Sequence, residues 1–155
     1  MLSTKESDMN RIALLTTLFV LIFSNLLYAG TDPIHARQEL MEETRDAAKV
    51  IGGMLRQQRE FDAAAAMEAF EVWRKTAAKA GDLFPDGSGV GHDTEAKITI
   101  WTDRAGFDEK MADFGAKVDA AIAASPDSLE ALNAAAGPVF KTCKACHEGY
   151  RVEKD

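Results

Sequence analysis

Cysteine is scarce in this 155-residue chain: there are two, Cys143 and Cys146, and both stand in one C-x-x-C. A pair so close encloses almost no chain, so a disulfide between them would restrain little of the unfolded state, and a cysteine-stapled fold is excluded. A structural zinc site fares no better, because it wants four ligands, commonly as two pairs, and the other candidates here are His35 and His92 alone. Basic residues are also in short supply. Eighteen Lys and Arg stand against 25 Asp and Glu, a formal charge of −7 at pH 7. Such a surface repels phosphate backbones and anionic membranes, which argues against a nucleic-acid partner and favours basic protein partners or plain solubility. Runs of alternating β-branched residues are missing, and with them any recognisable strand.

Long hydrophobic runs are nearly absent. The one example, Ile12 to Leu27, is about sixteen residues, short of the roughly twenty that a membrane-spanning helix needs. It follows a polar opening and ends at Tyr28-Ala29-Gly30, where small residues suit a signal peptidase. Residues 1–29 are therefore expected to be a cleaved secretory signal peptide, and residues 30–155 the mature domain, exported to the periplasm. Glu6 and Asp8 offset Lys5 and Arg11 in the opening segment, so an uncleaved anchor is the competing reading. Removing two basic and two acidic side chains leaves the charge of −7 unchanged. After cleavage no membrane association is expected.

What the mature sequence does have is helical periodicity. Asp32 can cap and Pro33 can occupy the first turn of a helix that carries Leu40, Met41, Ala48, Ile51 and Leu55 toward a core and stops near Arg59. A second helix opens at Asp62 with Ala63, Ala66, Met67, Phe70, Trp73 and Ala77 on one face, until Gly81 supplies a left-handed stop. The stretch between Gly81 and Trp101 holds Pro85, Gly87, Gly89 and Gly91 and reads as one long irregular loop, a feature that in small domains usually serves function. A third helix from about Asp103 to Ala124 aligns Phe107, Met111, Phe114, Val118 and Ile122, before Ser125-Pro126 breaks the chain. The last helix has the clearest stripe, Leu129, Leu132, Ala136, Val139, Cys143, Cys146 and Tyr150, with Pro138 expected to kink it before the cysteines. Four amphipathic helices, three with short connections, predict an all-α fold, an antiparallel four-helix bundle.

Cys143-Lys144-Ala145-Cys146-His147 is C-x-x-C-H, the pattern of covalent haem c attachment. Two thiols one helical turn apart can form thioethers with the two haem vinyl groups, and the adjacent imidazole can ligate iron. A thioredoxin-type redox pair has the same spacing, but it belongs at the start of a helix in a β-α-β setting that this chain lacks. No carboxylate pair, nucleophile with a base, or metal cluster accompanies the motif, so catalysis is not expected.

The segment C-K-A-C-H-E-G-Y-R, Cys143 to Arg151, placed near the C-terminus, resembles the class II cytochromes c, whose core is the cytochrome c-prime family. Arg37 to Met41, Phe61 to Ala64, Leu83-Phe84-Pro85 and Ile100-Trp101 are similar to further segments of that family, so the resemblance spans essentially the whole mature chain. It implies one haem c on the last helix near one end of the bundle, and a homodimer formed through the first two helices. It also implies that Arg37 and Gln38 lie beside the haem edge and propionates, that Thr94 and Glu95 face the haem from the loop, and that Arg151 lies close to His147. For Arg37 and Glu95 a solvated surface charge is the competing reading. In that family the residue at the position of Met41 faces the haem opposite the histidine. Low-spin members place a methionine sulfur on the iron and transfer electrons to redox partners. High-spin members pack an apolar side chain over an open site that admits nitric oxide or carbon monoxide. From its spacing alone Met41 is a core methionine. With the resemblance, ligation by Met41 is the reading taken and simple packing is the alternative. His92 is expected to be exposed, and His35 to lie too far before Met41 to compete.

Overall fold

The computed structural model describes residues 32–153. The expected signal peptide lies outside the described residues. Helix α1 runs Pro33–Leu55, α2 Ala63–Lys79, the short α3 Thr99–Thr102, α4 Arg104–Ala124 and α5 Leu129–Tyr150. The four long helices form the antiparallel bundle, with α1 packed on α2, α2 on α4, and α4 on α5. Among the described residues no helix is long and apolar enough to cross a membrane.

Each long helix starts on a side-chain cap. Asp32 accepts the Ile34 N–H ahead of Pro33, Asp62 that of Ala65, Asp103 that of Gly106, and Ser128 that of Ala131, each satisfying an amide that the helix itself cannot. The ends depart from expectation. Helix α1 stops at Leu55, short of Arg59, because Gln57 turns left-handed at φ 56°. The Gln57 N–H then donates to the Met54 carbonyl and the Gln58 N–H to that of Gly53, which is the Schellman arrangement with glutamine where glycine is usual. Gly81 is not a left-handed stop. It sits inside a 3₁₀ turn, Ala80–Leu83, that tightens the end of α2, and the Arg104 side chain takes the Gly81 and Phe84 carbonyls. Ser125 does turn left-handed, at φ 42°, ahead of Pro126. Helix α5 runs unbroken through Pro138.

The main core joins Ile51 and Met54 of α1, Ala66, Phe70 and Trp73 of α2, Val118 of α4, and Leu132, Ala136 and Val139 of α5, all fully buried. Ala63, expected on the apolar face of α2, is exposed in its first turn. A second, smaller cluster of Phe84, Ile100 and Phe107 packs where the long loop meets α4. That loop is therefore not wholly irregular: α3 lies within it and buries Ile100.

Candidate cofactor site

Cys143, Cys146 and His147 fall at i, i+3 and i+4 of α5, so one face of its last turns presents all three. They line a cavity of about 550 Å³, a size suited to a small-molecule or cofactor ligand. The two thiols form no disulfide and are half-buried. Burial pushes both thiols up from their ordinary range; at Cys143 the neighbouring Cys146 adds to this, and at Cys146 the Lys110 charge opposes it. His147 is pushed the other way, by burial first and then by the Arg151 charge, with Glu95 opposing. The shift favours the neutral form, whose ring nitrogen has a lone pair for a metal. Among the described residues no cluster of three or more His, Cys, Asp or Glu could hold a metal ion by itself.

The end of α5 is fixed by the segment that precedes and enters α3. Ala96 and Arg151 form an antiparallel bridge, the Lys97 N–H donates to the Tyr150 carbonyl at 3.0 Å, and the Val152 N–H donates to that of Glu95 at 2.7 Å. The Lys97 ammonium and the Thr99 hydroxyl take the Glu148 and Gly149 carbonyls at 2.8 and 3.2 Å. Carbonyls that a helix end leaves without partners are thus satisfied next to His147. Tyr150 adds a hydrogen bond from its hydroxyl to Asp103 at 2.9 Å.

The residues expected to bind the cofactor or its iron line this one cavity: Arg37, Gln38 and Met41 from α1, Thr94 and Glu95 from the loop, and the three residues of the motif. Met41 is half-buried and takes part in neither hydrophobic cluster. Arg37 is only 4% exposed, which overturns the reading of it as a solvated charge. Gln38 is exposed and donates to the His92 carbonyl at 3.2 Å. Glu95 is half-buried and lies 3.9 Å from the Arg151 guanidinium, a loose and partly exposed pair of little energetic weight. His35 and His92 are exposed, and neither lines the cavity.

Most of the aromatic wall is read from the sequence only as core or not at all. Trp73 stands edge-on to Phe140, with ring centres 5.4 Å apart, and its indole N–H donates to the Thr44 carbonyl at 3.1 Å. On the other side Phe84, Phe107 and Tyr150 make a chain of edge-to-face contacts, 5.0 and 5.4 Å between centres. Trp73, Phe107 and Tyr150 keep helical register, so periodicity finds them without telling a cavity wall from a filled core. Phe84 lies in the loop, where periodicity says nothing.

A helical stripe that ends in two thiols and an imidazole, and faces an apolar cavity, fits a haem attached through Cys143 and Cys146. Comparison with known proteins agrees. The family model described as Cytochrome C' matches residues 32–151. Cytochrome c' of Rhodopseudomonas palustris is 35% identical over 144 residues, covering 93% of this chain and 97% of its own. Cytochrome c-556 of the same organism is 31% identical, covering 85% and 91%. The solved structure of the Rhodopseudomonas palustris cytochrome c' superposes with a TM-score of 0.77 at 33% identity, over 81% of this chain and 99% of that one. The chain belongs to the cytochrome c' family of haem electron-carrier proteins, and its cofactor is haem c.

Proposed function

We propose that the chain is a periplasmic mono-haem electron carrier, with the haem bound through Cys143 and Cys146, His147 as one axial ligand of the iron and Met41 as the other. The observation that carries this reading is Met41 itself: a half-buried thioether in the wall of the cavity that contains His147, outside both hydrophobic clusters. A methionine of purely structural use packs into a cluster, as Met54 does at the far end of the same helix. The bound haem supplies one-electron chemistry at iron, and His/Met ligation favours a high potential. The chain supplies the rest. Arg37, Gln38, Thr94 and Glu95 line the cavity that would hold the haem, and its aromatic walls would limit the access of water to it. Among the described residues no cluster of three or more His, Cys, Asp or Glu accompanies the motif, which supports a carrier with no substrate of its own. Its partners are redox proteins, and a homodimer forms through α1 and α2.

The apolar wall of Ala48, Trp73 and Phe140, on the bundle side of the cavity, favours a second reading. A five-coordinate iron there would take nitric oxide or carbon monoxide, with Met41 only packing over the open face. Both readings share the attachment residues, which can be tested first. Haem in the wild-type protein is expected to resist acid-acetone extraction, and haem in a variant with Cys143→Ala and Cys146→Ala to be extracted. Resistance in the variant would refute covalent attachment through these thiols.

A further inference from the structure

Helix ends fray, because their last carbonyls have no partner inside the helix. His147 stands close to such an end: α5 runs only three residues further, to Tyr150. Helices α1 and α4 stop on left-handed turns of their own backbone, at Gln57 and Ser125, whereas α5 passes straight into extended chain at Arg151. No local turn ends it. The carbonyls of its last three residues are taken instead by a segment 50 and 51 residues earlier in the chain. The Lys97 ammonium donates to the Glu148 carbonyl at 2.8 Å, the Thr99 hydroxyl to that of Gly149 at 3.2 Å, and the Lys97 N–H to that of Tyr150 at 3.0 Å. The ammonium also sets a cation at the negative end of the helix dipole. The Val152 N–H, bonded to the Glu95 carbonyl at 2.7 Å, closes the strap from the other side. Glu95 and Ala96, at the start of the same strap, line the cavity, so one segment serves as cavity wall and as cap of the helix that carries His147.

Building on the haem site proposed above, we infer that Lys97 and Thr99 are positioning residues for His147: their side chains keep the last turn of α5 helical and so fix the direction of the imidazole. Attachment through Cys143 and Cys146 holds the helix before His147, and the strap holds it after. With the first alone, the turn that carries the imidazole has a free end, and partners outside the ligand itself are what orient a metal-bound histidine. The Tyr150 hydroxyl on Asp103 and the Tyr150 ring against Phe107 tether the last side chain but none of these carbonyls. A strap variant therefore keeps the turn in place while loosening its backbone.

The test compares wild-type holoprotein with Lys97→Met, Thr99→Val, the two combined, and Lys97→Arg. Circular dichroism first establishes that each is folded, and acid-acetone extraction that its haem is retained. Two readouts follow: hydrogen exchange at the Arg151 and Val152 amides, and the paramagnetic resonance spectrum of the ferric iron, whose g-values report ligand orientation whether or not Met41 is bound. Loss of two hydrogen bonds should speed exchange in the double variant about tenfold. Its g-values should broaden or split into a second set. Thr99→Val should show a smaller change of the same kind without any change of charge, and Lys97→Arg, which keeps a charged donor, should match wild type. Unchanged exchange in the double variant would overturn the strap, and faster exchange with wild-type g-values would overturn the positioning role. A failure of the haem site itself would look different: an iron spectrum that His147→Ala leaves as in wild type.

Discussion

The two ends of the bundle are built from the same kind of helical stripe and come to opposite outcomes. At one end Ile51, Met54, Ala66, Phe70, Val118 and Leu132 close on one another with no surface left to water. At the other, the same stripes continue through Met41 and Ala48 on α1 and Cys143, Cys146 and Tyr150 on α5, yet these side chains are only half-buried around a cavity of about 550 Å³. Hydrophobicity does not distinguish the ends. The difference lies in what fills the space between the helices: side chains at one end, and at the other a gap walled by Trp73, Phe140, Phe84 and Phe107. An apolar stripe thus specifies that a face is turned inward, and a second kind of information, here two thiols and an imidazole at one turn, specifies what it is turned toward.

The contrast is broken most severely at the closed end. Phe70→Ala should cost about 3–5 kcal/mol of folding stability, since the ring is wholly enclosed and its neighbours can collapse only partly. Urea titration of the holoprotein reads the loss, and the iron spectrum should stay as in wild type. The two α1 methionines sharpen the comparison. Met54→Leu and Met41→Leu conserve volume and should each cost less than about 1.5 kcal/mol in packing. Only Met41→Leu should change the spin state of the iron; a change with Met54→Leu and none with Met41→Leu would reverse the assignment of the two ends.

Smaller effects test the frame between them. Asp103 caps α4 through the Gly106 N–H and also accepts the Tyr150 hydroxyl, joining α4 to the last turn of α5. Asp103→Ala should lower stability by about 1–2 kcal/mol, at the upper part of the range for a lost cap. Gln57→Gly should do the opposite and raise stability by about 0.5–1 kcal/mol, because glycine takes the left-handed position at the end of α1 without the penalty that a Cβ brings. Thermal unfolding checks both signs.

These departures also mark how far the sequence could be read. The starts of α1, α2 and α4 were legible because Asp32, Asp62 and Asp103 are local signals that need no tertiary partner, whereas at α5 only the preceding break at Ser125-Pro126 was, and not the Ser128 cap. The helix ends were less so. At Gln57 a residue with no glycine-like freedom takes the left-handed turn, and at Gly81 a glycine that could turn does not, because Arg104 holds its carbonyl from α4. Helix α3 escaped notice since four residues are too few for periodicity, and Ile100 is buried in a cluster with Phe84 and Phe107 brought from elsewhere in the chain. The residues of the site were found through the motif and the family resemblance. The hydrogen-bond partners of Arg37 could not be found, since Leu83, Ser88 and Thr94 are gathered around it by the tertiary fold across some fifty residues.

Absorption and electron paramagnetic resonance spectra of the purified, exported protein, in both oxidation states and with carbon monoxide added to the ferrous form, test the central claim most directly. The account predicts a low-spin iron with a sulfur-to-iron band and no shift on adding the gas. A high-spin spectrum that shifts with carbon monoxide would contradict it, leaving Met41 as a packing residue over an open, gas-binding site.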